Sequence, residues 1–485
     1  MVQVTEQQIQ SIVQRVLAQV AAAEEPGARA APPFEPQAMA VAPEGDGIFP
    51  DIDSAVAAAA TAFRQLNTMT LAKRDEIIAN MRRVMRQNVQ LLSWMAREET
   101  GLGRYEDKVE KNLLVINKTP GTEDLKPTAY TGDRGMTLME RAPYGVIAAI
   151  TPSTNPTATI ICNAIGMIAA GNAVVFNAHP GAKKCSTKNI QLLNQAIVRA
   201  GGPPNLITAI AEPTIQSAQQ LMRHPQIRLL VVTGGEGVVK EAMNSGKRAI
   251  CAGPGNPPVV VDETAVIEQA ARDIVKGASF DNNIVCTDEK EIFAVDAIAD
   301  KLKAAMKQYG AYEITHWQLR RLERVIFTQL GPPRKPGVIN KDFIGKDACV
   351  ILKEIGVNVG REVRLVLVEV ERDHPLVWTE QMMPVIPLVR VRNADEGIDL
   401  AKEAEHGFGH TAVMHSRHLD HLDRMAREIN TSIFVKNGPS LAGLGYGGEG
   451  YTSFSIASPT GEGLTGPRSF SRERRCTLVD HFRIV

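Results

Sequence analysis

Over residues 145–243 the chain alternates short apolar runs with amphipathic stretches, and no other feature of the sequence restricts the fold as strongly. The runs at 145–150, 173–176, 206–210 and 229–232 are predicted strands, and 158–170, 184–200, 214–222 and 235–243 are predicted helices. Strand and helix in succession over about a hundred residues imply a parallel sheet covered on both faces, an architecture associated with nucleotide binding. A second series follows Pro257, with strands at 259–261 and 292–295 and helices at 265–277 and 298–308, and it runs to about Lys436. The expected fold class is α/β with two such units, and 485 residues suffice for two cores.

The flanking segments read differently. In residues 1–20, Ile9, Ile12, Val13, Val16, Leu17 and Val20 recur at three- and four-residue steps, which predicts an amphipathic helix. Residues 21–46 are dominated by Ala, Pro, Glu and Gly, the composition of an extended linker. The helix then hangs on a tether, and its apolar stripe stays wet until a partner covers it. Residues 48–110 read as a helical cap and 130–141 as a short β-hairpin. The apolar and basic tail at 461–485 reads as a strand available to a neighbour.

Lys plus Arg and Asp plus Glu both total 54, so no charge argument favours nucleic acid or an anionic membrane. The six cysteines form no CxxC pair and neighbour no histidine cluster, which argues against a zinc site or a disulfide framework and for a reducing cytosol. The N-terminus lacks the order of a secretion signal, and no run of about 18 apolar residues is present, so a soluble, unexported protein is expected.

Cys286 falls on a loop between the predicted helix 265–277 and the strand 292–295. A thiolate is strongly nucleophilic toward carbonyl carbon, although a lone cysteine also serves as a small buried hydrophobe. Asn155 precedes Pro156, where a turn residue is equally natural. Thr233, Gly234 and Gly235 lie where a strand turns into a helix; free N–H groups and absent side chains there admit a dinucleotide, and glycines there also serve steric needs alone. Gly443-Leu-Gly-Tyr-Gly-Gly448 satisfies GxGxxG but follows a late strand and leads into no helix, so it is not a dinucleotide fingerprint. A loop at a substrate mouth and a plain turn-rich connection both fit it.

The stretch Asp281-Asn-Asn-Ile-Val-Cys286, followed by Glu289-Lys290, resembles the nucleophile loop of CoA-acylating aldehyde dehydrogenases. Thr151-Pro-Ser-Thr-Asn-Pro-Thr157, Val232-Thr-Gly-Gly235, Thr379-Glu-Gln-Met-Met-Pro384, Phe434-Val-Lys-Asn-Gly-Pro439 and Leu478-Val-Asp-His-Phe-Arg-Ile-Val485 are similar to that family in the same order. The likeness is greatest to the acetaldehyde and propionaldehyde dehydrogenases of bacterial microcompartments, and the tethered helix at 1–20 is similar to their encapsulation peptides.

The resemblance implies a Rossmann-type domain for NAD and coenzyme A at 47–127 and 143–255 and a catalytic domain at 256–450. It also implies an oligomerisation region formed by a hairpin at 128–142 with 451–485. It implies dimers or tetramers, a microcompartment shell protein as partner of residues 1–20, and residence in the microcompartment lumen of the cytoplasm. Cys286 is then the nucleophile, and Asn155 with the Cys286 N–H forms an oxyanion hole. Thr151, Pro152, Ser153, Thr233, Gly234 and Gly235 fall on the cofactor, and Glu380 matches the ligand of the nicotinamide ribose. Asn177-Ala-His-Pro180 replaces a segment in which many hydrolytic relatives carry a ribose-binding lysine. Asn177, His179 and Pro180 therefore either contact NAD or CoA differently or, for His179, belong to the surface. His410 is either a packing histidine or a group that helps deprotonate CoA. No metal is implied.

One departure bears on the product. Hydrolytic relatives activate water with a glutamate where this chain has Cys251-Ala-Gly-Pro-Gly-Asn256, without a carboxylate. A thioester on Cys286 then lasts until the CoA thiol attacks it. The rival readings are a hydrolytic enzyme that releases free acid, and an interaction protein that docks to a shell through residues 1–20. The length of the aldehyde is not readable, because one or two methylenes change discrimination by only about 1–3 kcal/mol.

Overall fold

The computed structural model describes residues 45–484; the predicted helix at 1–20 and nearly all of the linker at 21–46 lie outside the described residues. Six parallel strands form the first sheet, in the order Ile48–Phe49, Ile207–Ile210, Ala173–Asn177, Val146–Ile150, Ile227–Thr233 and Ala249–Ala252. Every residue of the central strand Val146–Ile150 is buried, because helices cover both faces. From that strand the chain winds to one side through Ala173–Asn177 and Ile207–Ile210, then crosses to the other through Ile227–Thr233. This reversal opens a crevice above the carboxyl ends of the strands.

Helix Pro156–Ala169 starts with Pro156 at its first position, where a missing N–H does no harm, and is buried on every side. Its mostly apolar sequence follows from its place, since helices Leu71–Gln87 and Tyr105–Lys118 pack over it as an outer layer. The region 48–110 is helical as expected except for the edge strand Ile48–Phe49, which pairs with Ile207–Ile210. A two-residue strand carries no periodicity to read.

Seven parallel strands form the second sheet, in the order Ala311–Glu313, Leu365–Glu369, Val385–Val391, Glu291–Val295, Pro258–Val261, Thr411–His415 and Ile433–Lys436. A third, antiparallel sheet joins Thr128–Gly132 and Gly135–Pro143, and Ser471–Val479 from the tail adds to the latter, with Ser471 opposite Pro143 and Val479 opposite Gly135. The tail strand thus finds its neighbour within the same chain.

The residues just before that strand need a correction. The family resemblance groups 451–485 with the hairpin as one oligomerisation region, yet residues 453–470 pack on the six-stranded half. Ser455 Oγ lies 2.7 Å from Thr233 Oγ1 and donates to Asn163 Oδ1 at 3.1 Å, and Asn172 Nδ2 donates to the Phe470 carbonyl at 2.8 Å. Small hydroxyl residues and one buried ring bind this segment, and such a pattern has no period. Among the described residues no helix is long and apolar enough to cross a membrane.

Candidate active site

A cavity of about 630 Å³ lies over the carboxyl ends of the six-stranded sheet. Asn177, Ile150, Thr233 and Ala252, the last residues of four adjacent strands, all line it. Thr151, Pro152, Ser153, Asn155, His179, Pro180, Gly234 and Gly235 line it from the turns beyond those strand ends, and Cys286 and Glu380 line it from the seven-stranded half. Topology alone therefore brings together residues spread over 230 positions, since the strand ends are set by the ladder and the turns by the strands. Of the residues singled out in the sequence, only His410 is off the cavity wall.

The four strand-end residues are uncharged, and Glu236 and Glu241 of the helix beyond Thr233 bring the carboxylates on this side. Asn177 is buried; its Oδ1 accepts from Ser217 Oγ at 2.6 Å, and Ser217 closes the capping box with Thr214 that starts helix Ile215–Arg223. His179 is exposed and its Nδ1 accepts from the Gly181 N–H at 3.1 Å, which leaves Nε2 as the ring nitrogen for another partner. Gly235 caps helix Glu236–Met243 without any side chain, and a Cβ there would meet nothing within 4 Å. The first N–H groups of that helix are thus accessible to an anionic group, and a dinucleotide fits this wall.

The opposite wall is backed by buried charge. Helix Ile267–Ser279 ends just before Asp281, Asn282 and Asn283, three successive residues with φ of 45°, 56° and 64°. Left-handed backbone costs a non-glycine residue about 1 kcal/mol or more, and Asp and Asn tolerate it best. Their side chains hold the turn. Asn282 Nδ2 donates to the Gly345 carbonyl at 2.9 Å, Asn283 Nδ2 to the Ala278 and Glu289 carbonyls, and Lys290 Nζ to Asn283 Oδ1 at 2.6 Å. This turn delivers Cys286 to the cavity. Burial pushes its thiol up to about 12, the nearby Glu380 carboxylate adds to that, and Lys290 opposes it. Glu380 accepts from the Gly255 N–H at 3.3 Å, and burial raises its own pKa.

Asn155 caps helix Pro156–Ala169 by position but makes no side-chain cap. Its Oδ1 accepts instead from Lys111 Nζ at 2.5 Å, and Nδ2 lies 3.2 Å from Thr154 Oγ1. His410 is buried behind the wall: its N–H donates to Glu405 Oε1 at 2.8 Å, Nδ1 lies 2.9 Å from Thr411 Oγ1, and Nε2 has no partner. Gly255 stands between it and the nucleophile loop, since a Cβ at 255 would come within 2.9 Å of both the Cys286 carbonyl oxygen and the His410 ring. Burial and Lys290 draw this imidazole down to about 4, so it is neutral at pH 7.

Ala252, Gly253 and Pro254, from the stretch expected to replace the glutamate of hydrolytic relatives, line the cavity and bring no carboxylate to it. The GxGxxG pattern begins inside a short turn of helix, Ser440–Leu444, and ends in the loop beyond it; Lys118 Nζ binds the Gly445 and Gly448 carbonyls, and Leu444 reaches the cavity. Sequence reasoning missed Lys108, Lys111 and the tail residues Ser453, Phe454 and Ile456. A signal for the lysines exists, because Lys108, Lys111 and Val115 fall on one helical stripe whose other members are buried.

Comparison with known proteins agrees with this arrangement. Residues 22–314 match the model of the aldehyde dehydrogenase family. An acetylating acetaldehyde dehydrogenase of Bilophila wadsworthia is 54% identical, over 90% of this chain and 91% of its own. The propionaldehyde dehydrogenase of Rhodopseudomonas palustris, whose crystal structure holds CoA and an acylated cysteine, superposes with a TM-score of 0.87 at 49% identity, covering 90% of this chain and 99% of that one. A propionaldehyde dehydrogenase from the fucose utilisation microcompartment of Clostridium phytofermentans gives 0.88 at 46% identity, covering 91% and 100%. From the shared cavity, the motifs and these relatives, the chain belongs to the aldehyde dehydrogenase family, in its CoA-acylating branch.

Proposed function

We propose that this protein oxidises a short aldehyde, with propionaldehyde our first choice, and transfers the acyl group to coenzyme A with reduction of NAD. The reading is carried by one observation: Cys286 and Asn155 share a cavity with four uncharged strand ends, and the wall segment at 252–254 offers no base to water. The Cys286 sulfur adds to the aldehyde carbonyl, while the Asn155 amide and the Cys286 N–H hold the developing oxyanion. Thr233, Gly234, Gly235 and Glu380, with Thr151, Pro152, Ser153, Asn177, His179 and Pro180, would hold NAD, which supplies the hydride acceptor when bound. Loss of hydride leaves an acyl thioester on Cys286, and the CoA thiol displaces it to regenerate the cysteine.

His410, neutral at pH 7, has the form that accepts a proton, and we propose that it assists the CoA thiol once residues 254–255 shift. His410→Ala is then expected to slow transfer to CoA more than hydride transfer. Residues 1–20 are proposed to dock to a microcompartment shell protein, placing a dimer or tetramer in the lumen, with 128–142 and the tail strand at the subunit contact. The testing experiment tracks products by mass spectrometry with a panel of aldehydes, NAD and CoA. Acyl-CoA formed only when CoA is supplied is expected; sustained NADH production without CoA would favour the hydrolytic alternative.

A further inference from the structure

We propose that Lys111 is the positioning residue for Asn155 and that Asp281 holds Lys111 in place, so that one buried ion cluster aligns the amide with the loop carrying Cys286. The inference rests on the oxyanion role proposed above for Asn155. Lys108 and Lys111 leave helix Tyr105–Lys118 one turn apart, with side chains 3% exposed, and both meet the Asp281 carboxylate, which is 0% exposed. Lys108 Nζ donates to Asp281 Oδ2 at 3.0 Å, and Lys111 Nζ donates to that same oxygen and to Asn155 Oδ1 at 2.5 Å.

An amide has one accepting and one donating end, and packing barely distinguishes two rotamers half a turn apart. An ammonium fixed on Oδ1 does distinguish them. It leaves Nδ2, which gives one hydrogen to Thr154 Oγ1 and keeps a second, as the donor end that an oxyanion requires; the flipped rotamer would set donor against donor at Lys111 and lone pairs against the oxyanion. The same contact draws electron density from the amide and strengthens Nδ2–H as a donor.

The cluster is built tightly. Asp281 Oδ1 accepts the Arg104 N–H at 2.7 Å, and the Asp281 N–H donates to Asp107 Oδ2 at 2.9 Å. Residue 103 is a glycine with φ of 71°, and a Cβ there would lie 1.9 Å from Asp281 Oδ1, so the chain closes on this carboxylate as tightly as backbone allows. Amide, lysine and carboxylate thus form one path from the strand-end wall to the turn before Cys286.

A double-mutant cycle on the full chain tests this, with NADH formation from aldehyde, NAD and CoA and with thermal unfolding measured alongside. Asn155→Ala is expected to lower kcat about 100- to 1000-fold. Lys111→Met should lower it about 10- to 100-fold with little change in the KM for NAD. In the Asn155→Ala background Lys111→Met should cost less than about 3-fold, because the residue it positions is gone. An equal loss in both backgrounds overturns the positioning role and leaves that of Asn155 standing. An unchanged kcat in Asn155→Ala removes the oxyanion role itself. If Lys111→Met does not fold, Lys111→Arg keeps the charge with a displaced head and must show the same coupling.

Discussion

On one side of the cavity, four strands end in Asn177, Ile150, Thr233 and Ala252, uncharged residues placed by the ladder of a parallel sheet. On the other, residues 279–291 keep Asp281, Asp288, Glu289, Lys290 and Glu291 out of water around a turn of three left-handed residues. The first wall depends on topology and tolerates local change. The second depends on charges that answer one another: Lys290 ties down the loop, Ser440 donates twice to Glu289, and burial holds Asp288 and Glu291 well above the usual carboxylate range. Damage to the first wall should weaken binding, and damage to the second should weaken chemistry and stability.

The sharpest break in that contrast is Cys286→Ala, for which NADH formation should fall on the order of 10⁴-fold or more, and intact-protein mass spectrometry should lose the acyl adduct. An adduct that persists on another side chain would refute the assignment. Asp281→Ala comes next. It strands Lys108 and Lys111 without their shared carboxylate and should destabilise the fold by about 3–5 kcal/mol, read from the denaturant midpoint. A shift below about 1 kcal/mol would mean that the second wall is not held by this cluster.

Glu380, which lines the cavity from the seven-stranded half beside Cys286, is expected to show a smaller effect of another kind. Glu380→Gln should raise the KM for NAD about 10-fold with a lesser change in kcat. A fall in kcat alone would place Glu380 with the chemistry. The mildest test uses pH. With the free thiol pushed up to about 12, Cys286 is almost wholly protonated at neutrality, so its thiolate fraction, and with it alkylation by iodoacetamide, should rise about tenfold per pH unit between 7 and 9. Glu380→Gln removes a negative neighbour and should speed alkylation at fixed pH. A plateau near pH 8 would show that the second wall does not suppress the thiol.

These walls were not equally legible. Strand and helix periods placed Val146–Ile150, Ala173–Asn177 and Ile227–Thr233 within a few residues, because burial on both faces leaves a continuous apolar run. The motif residues then lie at the strand ends. Ile48–Phe49 and Ala249–Ala252 are too short to announce themselves and pair only because a sheet edge is waiting. Lys108 and Lys111 stand among charged neighbours, and their stripe with Val115 hints at burial without naming a partner; their contact with Asp281, some 170 positions later, supplies it. Contacts of that span have no local period, so the charge cluster appears only once the chain is folded.

Ser455 against Asn163, and Phe470 beneath Asn172, have a bearing on how the molecule is made. A nascent chain leaves the ribosome from its amino end, and domains usually fold in that order. Here the first sheet must wait, unfinished, for a patch whose contacts reach back 292 and 298 positions along the chain. Cutting the chain before residue 453 would therefore injure the half synthesised first.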